Sequence, residues 1–312
     1  RDTMSKNSAK IIPHLWFSKN VHEATEFYTS IFPDSKITST RIMNSPHLGD
    51  FDLVTFELWN QEFMAIGATP YFQFNPSISF IVNFDPARIE HASALLDDVW
   101  NKLTDGGQVL MLLGKYPFSK KYGWVQDRYG LSWQLFLTDP EGEERPKILP
   151  SLMFVNENSG KAEEAMNFYT TVFKHTKKGQ LLRYPRGMEP DREGTIMFSD
   201  FKLENLWFAA MDSGYNHDFN FNEAISFLVN CDTQEEIDYF WEKLSAVPEA
   251  EQCGWLKDKY GVSWQIVPRE LDDLMTTGNP EQIARMNAVM LNMKKLDLDQ
   301  LRKAFEGDGN EA

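Results

Sequence analysis

The chain has 312 residues and a formal net charge of −15 at pH 7, with 31 Lys and Arg against 46 Asp and Glu. An acidic surface has no counterions to exchange with phosphate backbones or anionic lipids, so nucleic-acid and membrane partners are excluded. Hydrophobic residues make up 42% of the chain, which excludes wholesale disorder, and the length suits about two domains.

The first half of the chain alternates between strand-like and helix-like patterns. "KIIPHLWF" at 10–17 is apolar and β-branched, whereas "EATEFYTSIF" at 23–32 spaces its apolar residues as an amphipathic helix does. Strand-like runs follow at 52–67 and 77–85, then a second helical pattern at 87–103 and a last pair of strands. The order is strand, helix, three strands, written twice.

The last pair of strands is "YGWVQDRYGLSWQLFL" at 122–137. Asp127 can accept hydrogen bonds from the turn backbone, and the glycine three residues later can take a positive φ, so the stretch predicts a hairpin. Strand alternation then places Ser132, Gln134 and Phe136 on one face.

The second half repeats the first in the same order. In its closing hairpin, eight of the sixteen residues match. The repeated stretches are "KILPSLMF" at 147–154, "EAMNFYTTVF" at 164–173, "AISFLVNCD" at 224–232 and "CGWLKDKYGVSWQIVP" at 253–268. The second copy is shorter before its hairpin, where "GGQVLMLLGKYPFSKKY" is reduced to about "VPEAEQ", so one wall of the two cups should differ.

A duplicated α+β fold follows. Four βαβββ modules are expected to pair edge to edge into two cupped mixed sheets, with helices outside and further helices at the C-terminus, since a module of about 60 residues hardly buries a sheet alone. The predicted divisions are a first domain at 10–138, a charged linker at 139–146, a second domain at 147–268 and a helical tail at 269–306.

The tail pattern at 279–305 predicts a helix with Pro280 in its first turn. Its apolar stripe is expected to pack against the domains rather than to form a binding box. The stripe consists of Ile283, Met286, Val289, Met290 and Met293.

Two cysteines, Cys231 and Cys253, lack Cys-x-x-Cys spacing and are predicted to be free thiols in a reducing compartment. No apolar run approaches the ~18 residues of a membrane span. "RDT" before Met4 is interpreted as a remnant of expression rather than a signal, and a cytoplasmic location is expected.

The strand-helix-three-strand modules, "FY" near the end of each first helix and the D-x-x-G hairpin together resemble the vicinal oxygen chelate superfamily. That group includes glyoxalase I, extradiol dioxygenases and bleomycin or fosfomycin resistance proteins. The hairpin "CGWLKDKYGVSWQIVP" and the tail "MLNMKKLDLDQL" are similar to its PhnB-like branch, which is often labelled a 3-demethylubiquinone-9 3-methyltransferase domain. No glycine-rich loop supports S-adenosylmethionine binding, so the methyltransferase label finds no support in the motifs.

The resemblance implies a cup in which His and Glu residues hold a divalent metal ion. Counted from "FY", the ligand positions hold Pro13, Ala65, Ser77 and Gln134 in the first copy. Those of the second copy hold Pro150, Ala209, Ala224 and Gln265. Neither set offers three His or carboxylate ligands, so no metal cofactor is predicted.

His14 lies beside the first ligand position and is the one weak metal candidate. By alternation it is expected to face the helices as a structural histidine. The candidate cup residues are Gln134, Ser132, Ser77, Ser79, Gln265, Ser263, Ser226, Trp59 and Trp207.

Three functions remain open at this point. The leading prediction is a small-molecule binder with a metal-free cup, and a homodimer is left open. The second is a metal-dependent enzyme of the glyoxalase or dioxygenase type with an unrecognised site. The third is a structural or regulatory protein whose cups are filled by its own side chains.

Overall fold

The structure is a computed structural model that describes residues 8–45 and 47–307, so the interpretation of residues 1–3 falls outside the described residues. The strands are β1 (Ile11–Phe17), β2 (Lys36–Ser45), β3 (Gly49–Leu58), β4 (Gln61–Gly67), β5 (Ile78–Phe84), β6 (Gln108–Tyr116), β7 (Ser119–Gln126), β8 (Ser132–Leu137), β9 (Ile148–Phe154), β10 (Lys177–Arg183), β11 (Ile196–Leu203), β12 (Leu206–Asp212), β13 (Ile225–Cys231), β14 (Trp255–Lys257) and β15 (Ser263–Pro268). The α-helices are α1 (Val21–Ile31), α2 (Ala92–Thr104), α3 (Ala162–Val172), α4 (Gln234–Leu244), α5 (Arg269–Thr277), α6 (Pro280–Met290) and α7 (Leu298–Glu306).

The strands form two mixed sheets, and each sheet takes strands from both repeats. Sheet A has seven strands in the order β14-β15-β13-β1-β4-β3-β2. Sheet B has eight strands in the order β10-β11-β12-β9-β5-β8-β7-β6. The predicted α+β architecture of two mixed sheets is confirmed. The sequence left open which modules pair, and the structure pairs the first with the fourth and the second with the third.

At the centre of each sheet, one antiparallel pair of strands joins the two repeats. In sheet A, β1 pairs with β13, with Ile11 opposite Val229 and His14 opposite Ser226. In sheet B, β5 pairs with β9 in the same way. Neither repeat therefore completes a sheet by itself.

One continuous apolar core lies on the helix side of both sheets. It combines α1 to α4 with inward residues of every module, including Tyr28, Phe80, Trp133, Phe227 and Trp264. The amphipathic spacing explains the helix positions, because Ala24, Tyr28 and Ile31 recur on one buried face of α1. The opposite faces of the sheets, here called cup A and cup B, point away from this core.

The fourth module departs from the predicted pattern. Helix α4 is followed by two strands rather than three, because the shortened segment leaves no counterpart to β6. The tail takes up part of that edge: the backbone N–H groups of Cys253 and Gly254 donate to the carbonyls of Met293 and Lys294, at 2.8 Å each. The predicted difference in one wall of the two cups is present.

The tail is three helices rather than one helix over 279–305. Helix α6 begins at Pro280 with a capping box, in which the Asn279 side chain accepts from the N–H of Gln282. It ends at Met290, and Asp297 starts α7 by capping the N–H of Gln300. No helix of the described residues is long and apolar enough to cross a membrane.

Candidate ligand-binding site

Four side chains meet at the centre of cup A. His14 on β1 is paired across the sheet with Met64 on β4 and with Ser226 on β13. Gln265 on β15 donates from Nε2 to Ser226 Oγ at 3.0 Å. The prediction that His14 faces the helices is wrong: Leu15 enters the helix-side core, so its neighbour His14 points the other way, into the cup.

Cup A contains a cavity of about 410 Å³ between sheet A and the tail helices. Most of its lining surface is apolar, although many polar and charged side chains also contribute to the walls. Apolar wall residues include Trp16, Leu53, Met64, Leu228, Trp255 and Met290. A second cavity of about 400 Å³ adjoins it and shares Trp16, Cys253 and Trp255.

The tail closes cup A through polar contacts as well as apolar packing. Arg41 on β2 contacts Asp272 on α5 at 2.5 Å. Asn287 on α6 donates from Nδ2 to the carbonyl of Asn44 at 2.9 Å. The tail methionines lie in different places. Met286 is buried among the tail helices, whereas Met290 lines the cavity. Met290 also packs against the buried tail cluster, as expected for the apolar stripe.

His14 presents an uncharged imidazole to this cavity. The side chain is 3% exposed, and its Nδ1 has no hydrogen-bond partner among the described residues. Burial lowers the pKa of His14 to about 4, so the ring is neutral at pH 7. The ring of Trp255 lies edge-on to it at 5.7 Å between centroids.

The cup A donor set does not fit the divalent metal that the superfamily resemblance implies. The four central positions offer one imidazole, one thioether, one hydroxyl and one amide, whereas Zn²⁺ and its neighbours are held by several imidazoles, thiolates or carboxylates. The ligand positions counted from the sequence were displaced: the inward residues are His14 rather than Pro13 and Met64 rather than Ala65. Among the described residues, no group of three or more His, Cys, Asp or Glu could hold a metal ion.

Cup B has the same frame, and aromatic and aliphatic side chains pack together on its face. Gln134 donates from Nε2 to Ser79 Oγ at 2.8 Å and accepts from the Tyr122 hydroxyl at 2.7 Å. Phe136 and Trp207 pack with the buried cluster on this face, which holds Ile81, Leu149 and Ala209. The predicted alternation of the hairpin is thus present, with Gln134 and Phe136 on the cup side.

The repeat relates the two cups position by position. Ser151 and Ala209 in cup B are equivalent to His14 and Met64 in cup A. In each cup the two residues lie opposite each other where the first and last strands of a module pair in parallel. Tyr122 and Phe136 stand where cup A has Cys253 and Val267, and Trp207 where cup A has Glu62. The large residues of cup B are therefore smaller or polar in cup A.

The remaining sequence candidates are distributed differently. Trp59 is not in a cup: it sits in the β3–β4 turn and packs in the helix-side core, with its ring 5.6 Å from that of Phe84. Trp207 lies on the cup B face, stacked on the Arg145 guanidinium at 4.4 Å. Ser77 is buried just before β5 begins.

Ser132 and Ser263 occupy matching places at the start of β8 and β15. Both are fully buried, and the Oγ atom of each has no hydrogen-bond partner among the described residues. Ser263 also lines the second cavity beside cup A.

Sequence reasoning missed Met64, Trp16 and the tail residues that cover cup A. A signal for Met64 was available, since the register of β4 against β1 follows from the alternation of each strand. No comparable sequence signal placed the tail over cup A rather than cup B, because its apolar stripe fits either surface.

Comparison with known proteins bears on this geometry. The 3-demethylubiquinone-9 3-methyltransferase family model matches the chain twice, at residues 9–136 and 146–267. The chain belongs to this family. The PhnB-like resemblance predicted from the sequence is confirmed by this match.

The chain is also similar to solved structures. The PhnB protein from Bacillus cereus is 41% identical and covers 41% of this chain and 99% of its own, with a TM-score of 0.37. Glyoxalase I from Zea mays is 13% identical, covers 87% of this chain and 96% of its own, and has a TM-score of 0.54, which shows the shared fold. No curated protein matches the chain. Both cups of this PhnB-like protein take strands from both matched segments.

Proposed function

We propose that this PhnB-like protein binds a small, largely apolar molecule in cup A without a metal ion. The observation that carries the proposal is the asymmetry of the cups: equivalent positions are filled by Tyr122, Phe136 and Trp207 in cup B, whereas cup A holds a cavity of about 410 Å³. Ligand pockets of about 300–1,000 Å³ with apolar walls and a few placed polar groups are typical of small-molecule sites.

Cup B supports a second role, which is structural. The amide nitrogen and the amide oxygen of its central Gln134 are both hydrogen-bonded within the protein. The same face carries a buried apolar cluster. This packing supports the third open function, filled cups, for one cup of the two. The mismatch of the cup A donor set argues against the metal-dependent enzyme.

A thermal-shift screen of a small-molecule library tests the proposal. Compounds that raise the melting temperature should lose their effect in Trp255→Leu, which removes a wall of cup A, because stabilisation requires binding to the folded state. Trp124→Leu is the matched control, since Trp124 pairs with Gln134 in cup B as Trp255 pairs with Gln265 in cup A.

Two results would contradict the proposal. One is a screen in which no compound raises the melting temperature of the wild-type protein. The other is a stoichiometric divalent metal in the purified protein whose removal by EDTA lowers the melting temperature.

A further inference from the structure

The chemistry of the cup A ligand can be inferred from cup B, and this inference rests on the function proposed above. Each cup centres on a glutamine whose Nε2 donates to a serine hydroxyl on the neighbouring strand, at 2.8 Å in cup B and 3.0 Å in cup A. With Nε2 donating to the serine, each Oε1 is available to accept a hydrogen bond from another group. The two cups differ in what donates to that oxygen.

In cup B the donor is a phenol. The Tyr122 hydroxyl donates to Gln134 Oε1 at 2.7 Å, and the side chain is 3% exposed. Burial raises the pKa of Tyr122, so the hydroxyl keeps its proton. Its ring packs against Phe136 at 4.6 Å between centroids, and the ring of Phe118 meets it edge-on at 4.8 Å.

In cup A the repeat places Cys253 at the position of Tyr122. Its Sγ lies 3.2 Å from the carbonyl of Met290, which belongs to the tail. Gln265 Oε1 has no hydrogen-bond partner among the described residues, although the side chain is only 8% exposed. Gln265 lines the cavity, so a ligand hydroxyl can donate to this oxygen as the Tyr122 hydroxyl donates to Gln134 in cup B.

Two further features define the rest of the ligand. The indole rings of Trp16 and Trp255 lie 5.8 Å apart on the cavity wall, a surface that suits a flat ring. The two arginines of the lining already contact carboxylates, Arg41 that of Asp272 at 2.5 Å and Arg269 that of Asp232 at 2.9 Å. Among the described residues of the lining, an anionic ligand therefore finds no unpaired guanidinium, whereas Glu57 and Glu62 add negative charge.

We infer that cup A binds an uncharged phenol, whose hydroxyl donates to Gln265 Oε1 and whose ring lies against the Trp16 and Trp255 wall. The neutral His14 imidazole beside Ser226 offers a second polar contact to a substituent on the same ring. The phenol takes in cup A the role that the Tyr122 side chain takes in cup B.

Isothermal titration calorimetry with 2-naphthol and 2-methoxynaphthalene tests the inference, because the second compound keeps the ring system and lacks the donor. The wild-type protein should bind 2-naphthol about tenfold more tightly than the ether, as expected for one buried hydrogen bond. Gln265→Met should weaken 2-naphthol binding to the level of the ether and leave the ether unchanged. Gln134→Met, the matched change in cup B, should leave both affinities as they are.

A second variant copies the phenol of cup B into cup A. Cys253→Tyr should abolish 2-naphthol binding, whereas Cys253→Ser should retain it. Equal affinity for the two compounds, an equal loss for both in Gln265→Met, or no binding of either would overturn the inference. The proposed binding function would survive each of these results if the library screen still finds compounds whose effect depends on Trp255.

Discussion

His14 is an uncharged side chain at neutral pH. The ring is almost fully buried, and its Nδ1 has no hydrogen-bond partner in the part of the chain that the structure describes. The unfolded chain takes up a proton near the ordinary pKa of 6.5, whereas burial lowers the pKa in the folded state to about 4. Above pH 6.5 both states are neutral at this residue. Between pH 6.5 and 4 the unfolded state binds a proton that the folded state rejects, so stability falls as the pH falls.

The first prediction follows from that difference in pKa. Between pH 7 and pH 4.5 the free energy of unfolding of the wild-type protein should fall by about 2–3 kcal/mol more than that of His14→Ser. Serine is the matched replacement because Ser151 stands at the equivalent position of cup B. Urea unfolding at the two pH values measures the difference, and parallel losses in both proteins would show that His14 does not titrate in this way.

Asp127 explains why its motif is written twice. Its carboxylate accepts from the backbone of Tyr129 and Leu131 at 2.8 and 3.1 Å, which is the predicted turn. It also accepts from the Tyr28 hydroxyl at 2.6 Å and from Trp133 Nε1 at 2.9 Å, which ties α1 to the hairpin. The second repeat makes the same contacts through Asp258, Tyr169 and Trp264.

The second prediction concerns this shared carboxylate. Asp127→Ala should cost about 3 kcal/mol of stability, because it leaves the buried Tyr28 hydroxyl and Trp133 N–H without acceptors. Tyr28→Phe should cost about 1 kcal/mol, because Asp127 keeps three of its donors. Denaturant unfolding compares them, and a loss in Tyr28→Phe as large as that in Asp127→Ala would contradict this account.

Residue-scale sequence reasoning found the glutamines but misplaced their neighbours. Gln134 and Gln265 were correctly located because they follow a turn with a clear signature. His14 was assigned to the wrong face because the ligand position was counted from a helix motif, and the loop between strand and helix has no fixed length. The Tyr28 to Asp127 contact spans 99 positions, so no local pattern could reveal it.

At the scale of elements, the tail replaces a strand that the second repeat lacks. Residues 293–294 hydrogen-bond along the segment before β14, and Leu296 is fully buried against Gly254. Strands, hairpins and first helices were predictable from periodicity and turn residues. The break between α6 and α7 was not, because the apolar stripe runs on to Met293 while the chain turns to pack on itself and on the sheet edge.

The third prediction distinguishes two contributions to stability at Gly254, the docking of the tail and the positive φ of the backbone. Gly254 and Gly261 both have φ of +89°, but a Cβ on Gly254 would lie 3.1 Å from the Ile266 carbonyl oxygen and 3.2 Å from a Leu296 methyl, whereas one on Gly261 meets nothing within 4 Å. Each alanine substitution should cost about 1 kcal/mol through the positive φ. Gly254→Ala should cost more and should also increase amide hydrogen exchange in α6 and α7. Equal stability losses with unchanged exchange would show that the tail does not depend on this contact.

At the scale of the whole molecule, each central strand pair joins one strand of the first repeat to one strand of the second, an arrangement called crosswise pairing here. Strands β1 and β5, both of the first repeat, pair with β13 and β9 of the second. The repeat was evident in the sequence, whereas the crosswise pairing was not, because either arrangement buries the same apolar pattern. The pairing decides which residues meet in a cup: His14 faces Gln265 of the other repeat rather than Gln134 of its own.

The fourth prediction is that residues 1–140, produced as a separate chain, form a dimer. In that fragment β1 and β5 would each lose their partner strand, and two copies can restore the pairing by placing β1 of one copy against β5 of the other. Light scattering after size-exclusion chromatography should give twice the fragment mass, and co-expression with residues 141–312 should give a one-to-one complex. A folded monomer of either fragment would contradict the crosswise arrangement.

Because each cup is built from different modules, the sequences of the two cups can change independently. A symmetric pair of identical chains would carry two identical cups, so any substitution would alter both at once. In the fused chain, cup A is built from the first and fourth modules and cup B from the second and third. Each cup can therefore acquire substitutions that the other never receives. One cup can change the side chains that line its cavity, while the other keeps side chains that stabilise the fold.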